Sequence, residues 1–264
     1  MLGSPPLLSV VVPAYNEEKR LPASLTSIHQ YLTSQTYSSE IIVVDDGSND
    51  RTAAVAAELV ASLPLLRVIH NPHRGKAFAL RTGVAATKGN VVFLCDADLS
   101  MPVTEVAKFL PLIQAGYDVV MGSREAPGAH RYDEPPYRHL MGRVYNFLVR
   151  VVLFGEFQDT QCGFKCLSRK AALDIFPRLH VRTDDVDVNG PMVTGFDVEM
   201  LFLARKLRYR ITEIGIQWYY QPGSKVHPIR DAFRMAIDVL KVRLNDRRGY
   251  YNLPRVPSPE VTRG

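Results

Sequence analysis

Five apolar runs, each ending in an abrupt change of polarity, constrain the fold of this 264-residue chain more than any other feature. They read LLSVVVP (7–13), EIIVVDDG (40–47), LLRVIH (65–70), NVVFLCDAD (90–98) and YDVVMGS (117–123). β-Branched residues fill them with little polar alternation, as in strands covered on both faces. Segments of helical pattern lie between them, beginning near Glu17, Asp50, Arg74 and Thr104. The alternation predicts an α/β fold, a doubly wound, mostly parallel sheet whose first half spans residues 1–123. Ligands of such sheets bind beyond the carboxyl ends of the strands.

Three of those ends carry polar signatures: PAYNEE (13–18), DDGSND (45–50) and DADLS (96–100). One cleft should gather them. Burying two carboxylates as close as Asp96 and Asp98 is costly unless a cation or polar ligand compensates them. Asp-Ala-Asp supplies hard oxygen ligands for Mg²⁺ or Mn²⁺, which bind through one or two carboxylates plus substrate phosphates. Standing alone, the same pair also suits an N-cap and a turn ahead of the helix near Thr104. In DDGSND, Asp50 or Ser48 suffices to cap the next helix, whereas Asp45 and Asp46 exceed that need and can accept from a base imide or ribose hydroxyls. NPHRGKAFALRTG (71–83) sets Arg74 and Lys76 at a helix start, where backbone N–H groups and fixed cations favour phosphate. A solvated helix start reads the same way.

The second half is less regular. It holds an amphipathic helix near Arg138 to Phe154, a turn QDTQCGFKCLS (158–168), an Asp- and Pro-rich loop (177–194), a helix from Phe196 to Lys206, a strand YRITEIGIQWYY (209–220) and a basic helix from Pro228. The Pro-rich end, residues 250–264, has few apolar anchors and is expected to stay disordered. Cys95, Cys162 and Cys166 lack the spacing of a disulfide framework and the further ligands of a structural zinc site, so reduced thiols and a cytosolic-facing protein are expected. Neither a signal peptide nor a membrane span is expected, because no basic n-region precedes the N-terminal apolar run and no window holds about 18 uncharged apolar residues. Net charge is +5, concentrated between Lys225 and Tyr250, where seven Lys/Arg face three Asp. Three acidic strand ends would repel phosphate without a metal, so no nucleic-acid partner is expected.

Seven segments in order, VVPAYNEEKRL, EIIVVDDGSNDRT, RGKAFALRTGV, DADLSMP, DTQCGFKCLSR, GFDVEMLFLA and GIQWYYQPGSKV, carry a resemblance over residues 8–244. The chain resembles family 2 glycosyltransferases of the GT-A fold, and among them those that load a hexose onto a polyprenyl phosphate. The resemblance implies one GT-A (Rossmann-like) domain over 1–249, with a nucleotide-sugar-binding half (1–123) and an acceptor half (124–249) ending in amphipathic helices. It implies that Pro13, Ala14, Tyr15, Glu17, Asp46 and Ser48 surround the nucleoside. Lys76 would serve the sugar-nucleotide side, while Asp96, Ala97 and Asp98 would meet ribose, diphosphate and a Mg²⁺ or Mn²⁺ ion held by the two carboxylates. Arg124, Asp159 and Gln161 join Asp96 and Asp98 as the implied catalytic set. Arg124, Arg138, Arg143, Lys165, Trp218 and Lys225 are the implied acceptor-side contacts.

The implied reaction is an inverting, metal-dependent transfer of glucose from UDP-glucose to a polyprenyl (dolichyl-type) phosphate. The acceptor oxygen is already anionic, which suits the absence of an obvious Ser/His/Asp set. GDP-mannose as donor is the same-class alternative. A metal-dependent nucleotidyltransferase is the alternative from another class, but it would show a Gly-rich, Arg/Lys-containing loop where this chain has PAYNEE. Lipid access is expected at the cytoplasmic face of a membrane, peripherally, through two basic amphipathic helices or through a membrane-anchoring partner or homo-oligomer. Ile229, Phe233, Ala236, Ile237, Leu240 and Leu244 share one arc of the last helix, with Arg230, Arg234 and Lys241 beside or opposite it. Asp184, Asp185 and Asp187 read as part of a solvated loop.

Overall fold

A computed structural model describes the protein at residues 7–150, 157–180, 195–221 and 228–252, with the side chains at 138, 148, 228–233 and 235 left aside. Its main sheet opens with β1 (Leu8–Ala14), β2 (Ser39–Asp45), β3 (Leu66–His70), β4 (Val91–Leu94) and β5 (Val119–Ser123), at the runs where the sequence places strands. Helices α1 (Leu21–Thr33), α2 (Thr52–Val60), α3 (Lys76–Ala85) and α4 (Val106–Gln114) connect them. Then follow β6 (His130–Tyr132), α5 (Pro136–Val149), β7 (Lys165–Ser168), α6 (Arg169–Ile175), α7 (Phe196–Lys206), β8 (Ile211–Gly215), β9 (Gln217–Tyr219) and α8 (Pro228–Arg247).

Seven strands lie in the order β3-β2-β1-β4-β7-β5-β8, and all pair in parallel except β7, which runs antiparallel to β4 and β5. The mostly parallel, doubly wound sheet expected from the sequence is therefore present. Side chains alternate between two cores because successive strand residues point to opposite faces. Val10 and Val12 join α1 and α4 residues such as Leu25 and Phe109 on one face, while Val11, Val92 and Leu94 join α3, α6 and α7 on the other.

Three local readings change. α1 starts at Leu21 rather than Glu17, because the amides of Asn16, Glu17 and Glu18 donate instead to Ser48 Oγ (2.9 Å), Thr52 Oγ1 (2.7 Å) and Asp50 Oδ2 (3.2 Å). The segment read as a turn, QDTQCGFKCLS, contains β7; four residues are too few to show a period, and only their place between β4 and β5 makes them a strand. The single strand expected over 209–220 divides at Ile216, whose N–H donates to Ser123 O (3.1 Å) while its carbonyl accepts from His130 N (3.0 Å). β8 thus stays in the main sheet, and β9 leaves it to pair with β6 in a small second sheet.

Order runs past residue 249. Tyr251 is buried, and its hydroxyl donates to Glu199 Oε1 at 2.6 Å. The rest of the expected tail, 253–264, and the loop with Asp184, Asp185 and Asp187 lie outside the described residues. Among the described residues no helix is long and apolar enough to cross a membrane.

Candidate active site

The carboxyl ends of β1, β2 and β4 meet at one open pocket of about 690 Å³ of empty space. Pro13, Ala14, Tyr15, Glu17, Asp46, Lys76, Asp96, Ala97 and Asp98 all line it, together with His73 and Gly75, which sequence reasoning passed over. Convergence follows from topology, since parallel neighbours end on the same side and their trailing loops share one edge.

Each polar side chain there has a structural reason for its position. Asp46 is buried, and its carboxylate accepts from Arg74 N (3.1 Å), Gly75 N (2.8 Å) and His73 Nδ1 (2.8 Å). Burial raises its pKa against those bonds. Asp46 therefore holds the loop that delivers Lys76, a use the sequence reading did not anticipate for a nucleoside contact. Gly47 sits beside it at φ +66°, with an added Cβ falling 2.6 Å from His73 N, so only glycine lets the two loops close together. His73 then stacks on Tyr15 with ring centroids 3.8 Å apart and planes within 3°, forming a flat aromatic wall. The HR dipeptide before Gly75 was the available signal, but Arg74 drew attention from its neighbour; its guanidinium lies over Phe78 at 5.0 Å. Ser48 serves the loop, accepting from Asn16 N, and is not a lining residue.

Asp96 and Asp98 leave β4 in two different electrostatic states. Burial works against ionisation of Asp96, but the Lys76 ammonium at 2.6 Å overrides it and holds the carboxyl below its usual range. The same pair raises Lys76, against the opposing effect of its own burial. Asp98 accepts from Ser100 N at 3.0 Å and has its pKa raised, first by burial and then by Asp96. It is a carboxylate in want of a cation. Among the described residues no three His, Cys, Asp or Glu side chains gather to hold a metal by themselves. Two adjacent carboxylates nevertheless suit an ion that completes its shell with diphosphate oxygens. The donor set fits Mg²⁺ or Mn²⁺.

In the second half of the chain, Arg124 follows β5 and grips buried Asp159 through Nε–Oδ2 (2.7 Å), Nη2–Oδ1 (2.9 Å) and its own backbone N–H to Oδ2 (3.0 Å). Burial alone would raise the Asp159 pKa, yet the guanidinium holds it far below the carboxylate range. Gln161 N donates to Asp159 Oδ1 (3.2 Å), and Trp218 lays its ring over Arg124 at 5.5 Å. Lys165 differs from the expectation of an acceptor-side contact: it is 1% exposed, and its ammonium binds Cys162 O and Asp197 Oδ1 (2.5 Å). Asp197, at the start of α7, was not singled out in the sequence because its partner lies 32 residues away. Arg143 is exposed on α5; Lys225 and the Arg138 side chain lie outside the described residues.

The two clusters are joined by close packing. An added Cβ on Gly163 would fall 2.0 Å from Asp96 Oδ2, so the QCGFK turn presses its bare backbone on the carboxylate. Gly163→Ala is therefore expected to displace Asp96 and cost about a hundredfold in turnover, the usual scale for a misplacement near 1 Å. Circular dichroism should stay native. Unchanged turnover would show that Asp96 needs no such support.

A model of glycosyl transferase family 2 matches residues 9–176. The chain is 34% identical over 263 residues to a dolichyl-phosphate beta-glucosyltransferase of Mus musculus, covering 93% of this chain and 78% of that one. Its likeness to the enzyme of the same name from Dictyostelium discoideum is 30% over 266 residues, covering 93% and 76%. In fold it is similar to glucosyl-3-phosphoglycerate synthase of Mycobacterium tuberculosis, solved with Mn²⁺, UDP and glucosyl-3-phosphoglycerate, at TM-score 0.61 and 21% identity, covering 96% of this chain and 82% of that one.

Proposed function

We propose that this chain, which belongs to glycosyl transferase family 2 and is a glycosyltransferase, moves glucose from UDP-glucose to a polyprenyl phosphate of the dolichyl type. The observation that carries the reading is the pocket itself. It sets an aromatic wall, a fixed ammonium and an under-neutralised carboxylate pair around one open space. The names of the relatives support glucose and a lipid phosphate as its two substrates.

On this reading Tyr15 and His73 receive the base, and Lys76, at the N-terminus of α3, offers a cation and helix amides to the diphosphate. Asp96 and Asp98 would hold Mg²⁺ or Mn²⁺, whose charge stabilises the departing diphosphate as a Lewis acid. The Arg124–Asp159 pair and Trp218 shape the approach from the acceptor side. A lipid phosphate oxygen forms the new bond to the anomeric carbon as the bond from that carbon to UDP breaks, inverting the configuration. No base is required, because the nucleophile enters as an anion. What the protein supplies is position and charge. A lipid acceptor would put the reaction at a membrane surface, and on this reading the protein is held there peripherally, on the cytoplasmic side.

Incubation with Mn²⁺, a short prenyl phosphate and radiolabelled donors tests this directly. UDP-glucose should give a glucosylated prenyl phosphate of β configuration, and GDP-mannose should give little product. Preference for GDP-mannose would overturn the donor assignment, and glucose transfer to free phosphoglycerate but to no prenyl phosphate would overturn the acceptor.

A further inference from the structure

α5 carries a second apolar face besides the one it packs into the core. Tyr145, Asn146 and Val149 point inward and are buried. Tyr137, Leu140, Val144 and Phe147, four of its large apolar residues, are between 57% and 65% exposed. At 100° per residue those four fall within an arc of about 80°, one continuous stripe along the helix. Large apolar side chains scattered singly need no explanation, but four aligned on one face mark an interaction surface.

α8 packs against α5 and repeats the pattern. Val239, Val242 and Asp238 are buried, which leaves Leu240 (60% exposed) and Leu244 (44%) on the outside. The arc read from the sequence as one apolar face is, in this part, the solvent side. Lys241 flanks those leucines on one edge, Arg243 and Arg247 on the other, and all three are exposed. Arg143, also exposed, flanks the α5 stripe. No acidic residue occurs in α5; in α8 Asp238 is buried and Asp246 is paired with Lys206 at 2.5 Å, while the Asp231 side chain lies outside the described residues.

We infer that the outer faces of α5 and α8 dock the protein on an anionic bilayer, with the apolar stripes in the headgroup boundary and the flanking cations on lipid phosphates. An apolar strip edged by cations is the pattern of an interfacial helix, whose long basic side chains reach up to the headgroups while their stems lie along the apolar surface. A second copy of the chain fits the charge less well, since self-association through this face would bring like-charged rims together. The inference deepens the reading above, in which the acceptor is a lipid phosphate. Asn146 Oδ1, on the buried face of α5, accepts from Thr160 N (3.3 Å) and Thr160 Oγ1 (3.2 Å), beside Asp159. Docking the stripe would set the acceptor side of the site within about one helix diameter, roughly 10 Å, of the membrane surface.

Co-sedimentation with vesicles of phosphatidylcholine, with and without phosphatidylserine, tests the inference on the whole protein without substrates. Wild type should sediment with the anionic vesicles and less so at high salt. The triple variant Leu140→Ser, Val144→Ser, Phe147→Ser should bind about tenfold more weakly or worse, the scale expected when three apolar side chains leave the acyl boundary. Arg243→Gln with Arg247→Gln should lose the preference for phosphatidylserine. Because all five positions are exposed, thermal midpoints should match wild type, and both variants should still glucosylate a short water-soluble prenyl phosphate. Vesicle binding by the triple variant equal to wild type would overturn the docking face. So would a wild-type dimer that the triple substitution dissociates while no form binds vesicles. If wild type binds vesicles as expected but glucosylates no prenyl phosphate, the docking face stands and the proposed reaction falls.

Discussion

Asp98→Asn is expected to lower glucose transfer about a thousandfold while raising the thermal midpoint of the ligand-free protein. Both effects follow from one carboxylate. Asp98 has its folded pKa raised by burial and by Asp96, so at neutral pH its ionised form is less favourable in the folded than in the unfolded chain. A group shifted upward contributes stability at low pH and loses it as pH rises through the folded value. The amide removes that penalty while keeping the shape and an oxygen able to accept from Ser100 N. It also removes the formal charge that a metal ion bridging to diphosphate would use. Thermal unfolding with and without Mn²⁺ and UDP, beside single-turnover transfer, gives the answer. Wild type should gain stability when the two ligands are added together, and the variant should gain little. Full transfer by the variant without added metal would overturn the metal assignment of Asp96 and Asp98.

Arg124→Gln should be strongly destabilising. It strands the Asp159 carboxylate, which is fully buried, and stranding one partner of a buried pair costs about 3–5 kcal/mol. Here the pH sign is opposite to that of Asp98. The folded pKa of Asp159 is depressed, because Arg124 outweighs the burial that would raise it. Its stabilisation is therefore complete above the ordinary aspartate range and fades as pH falls toward the depressed value. The gap in stability between wild type and Arg124→Gln should be widest near neutrality and narrow in acid. Adding Asp159→Asn should recover part of the loss, as a double-mutant cycle would measure. Arg124→Lys keeps the charge without the two-pronged fork. It should fold, and raise the KM for prenyl phosphate more than the Kd for UDP. Equal losses for both ligands would move Arg124 to the donor side.

The sequence by itself determined most of the frame and the place of the pocket. Five uniformly apolar runs are local signals, each long enough to name a strand, and parallel pairing sends the polar residues after β1, β2 and β4 to one edge. PAYNEE, Asp46 and Asp96 to Asp98 were legible as one cluster for that reason, and seven ordered motifs made the family legible too. What only the tertiary structure decided is which partner each charge takes. Asp46 is consumed by amides 28 and 29 residues away, Lys165 by Asp197 at 32, and Arg124 by Asp159 at 35. A charged side chain reads the same in the sequence whether it is paired in the core or open to substrate, because burial comes from segments distant along the chain. β7 is a strand only because β4 and β5 leave a slot between them. The helical periodicity of α5 and α8 announced amphipathic helices but not which arc faces inward, since that depends on what each helix packs against. Val239 and Val242 took the core, and Leu240 and Leu244 were left at the surface.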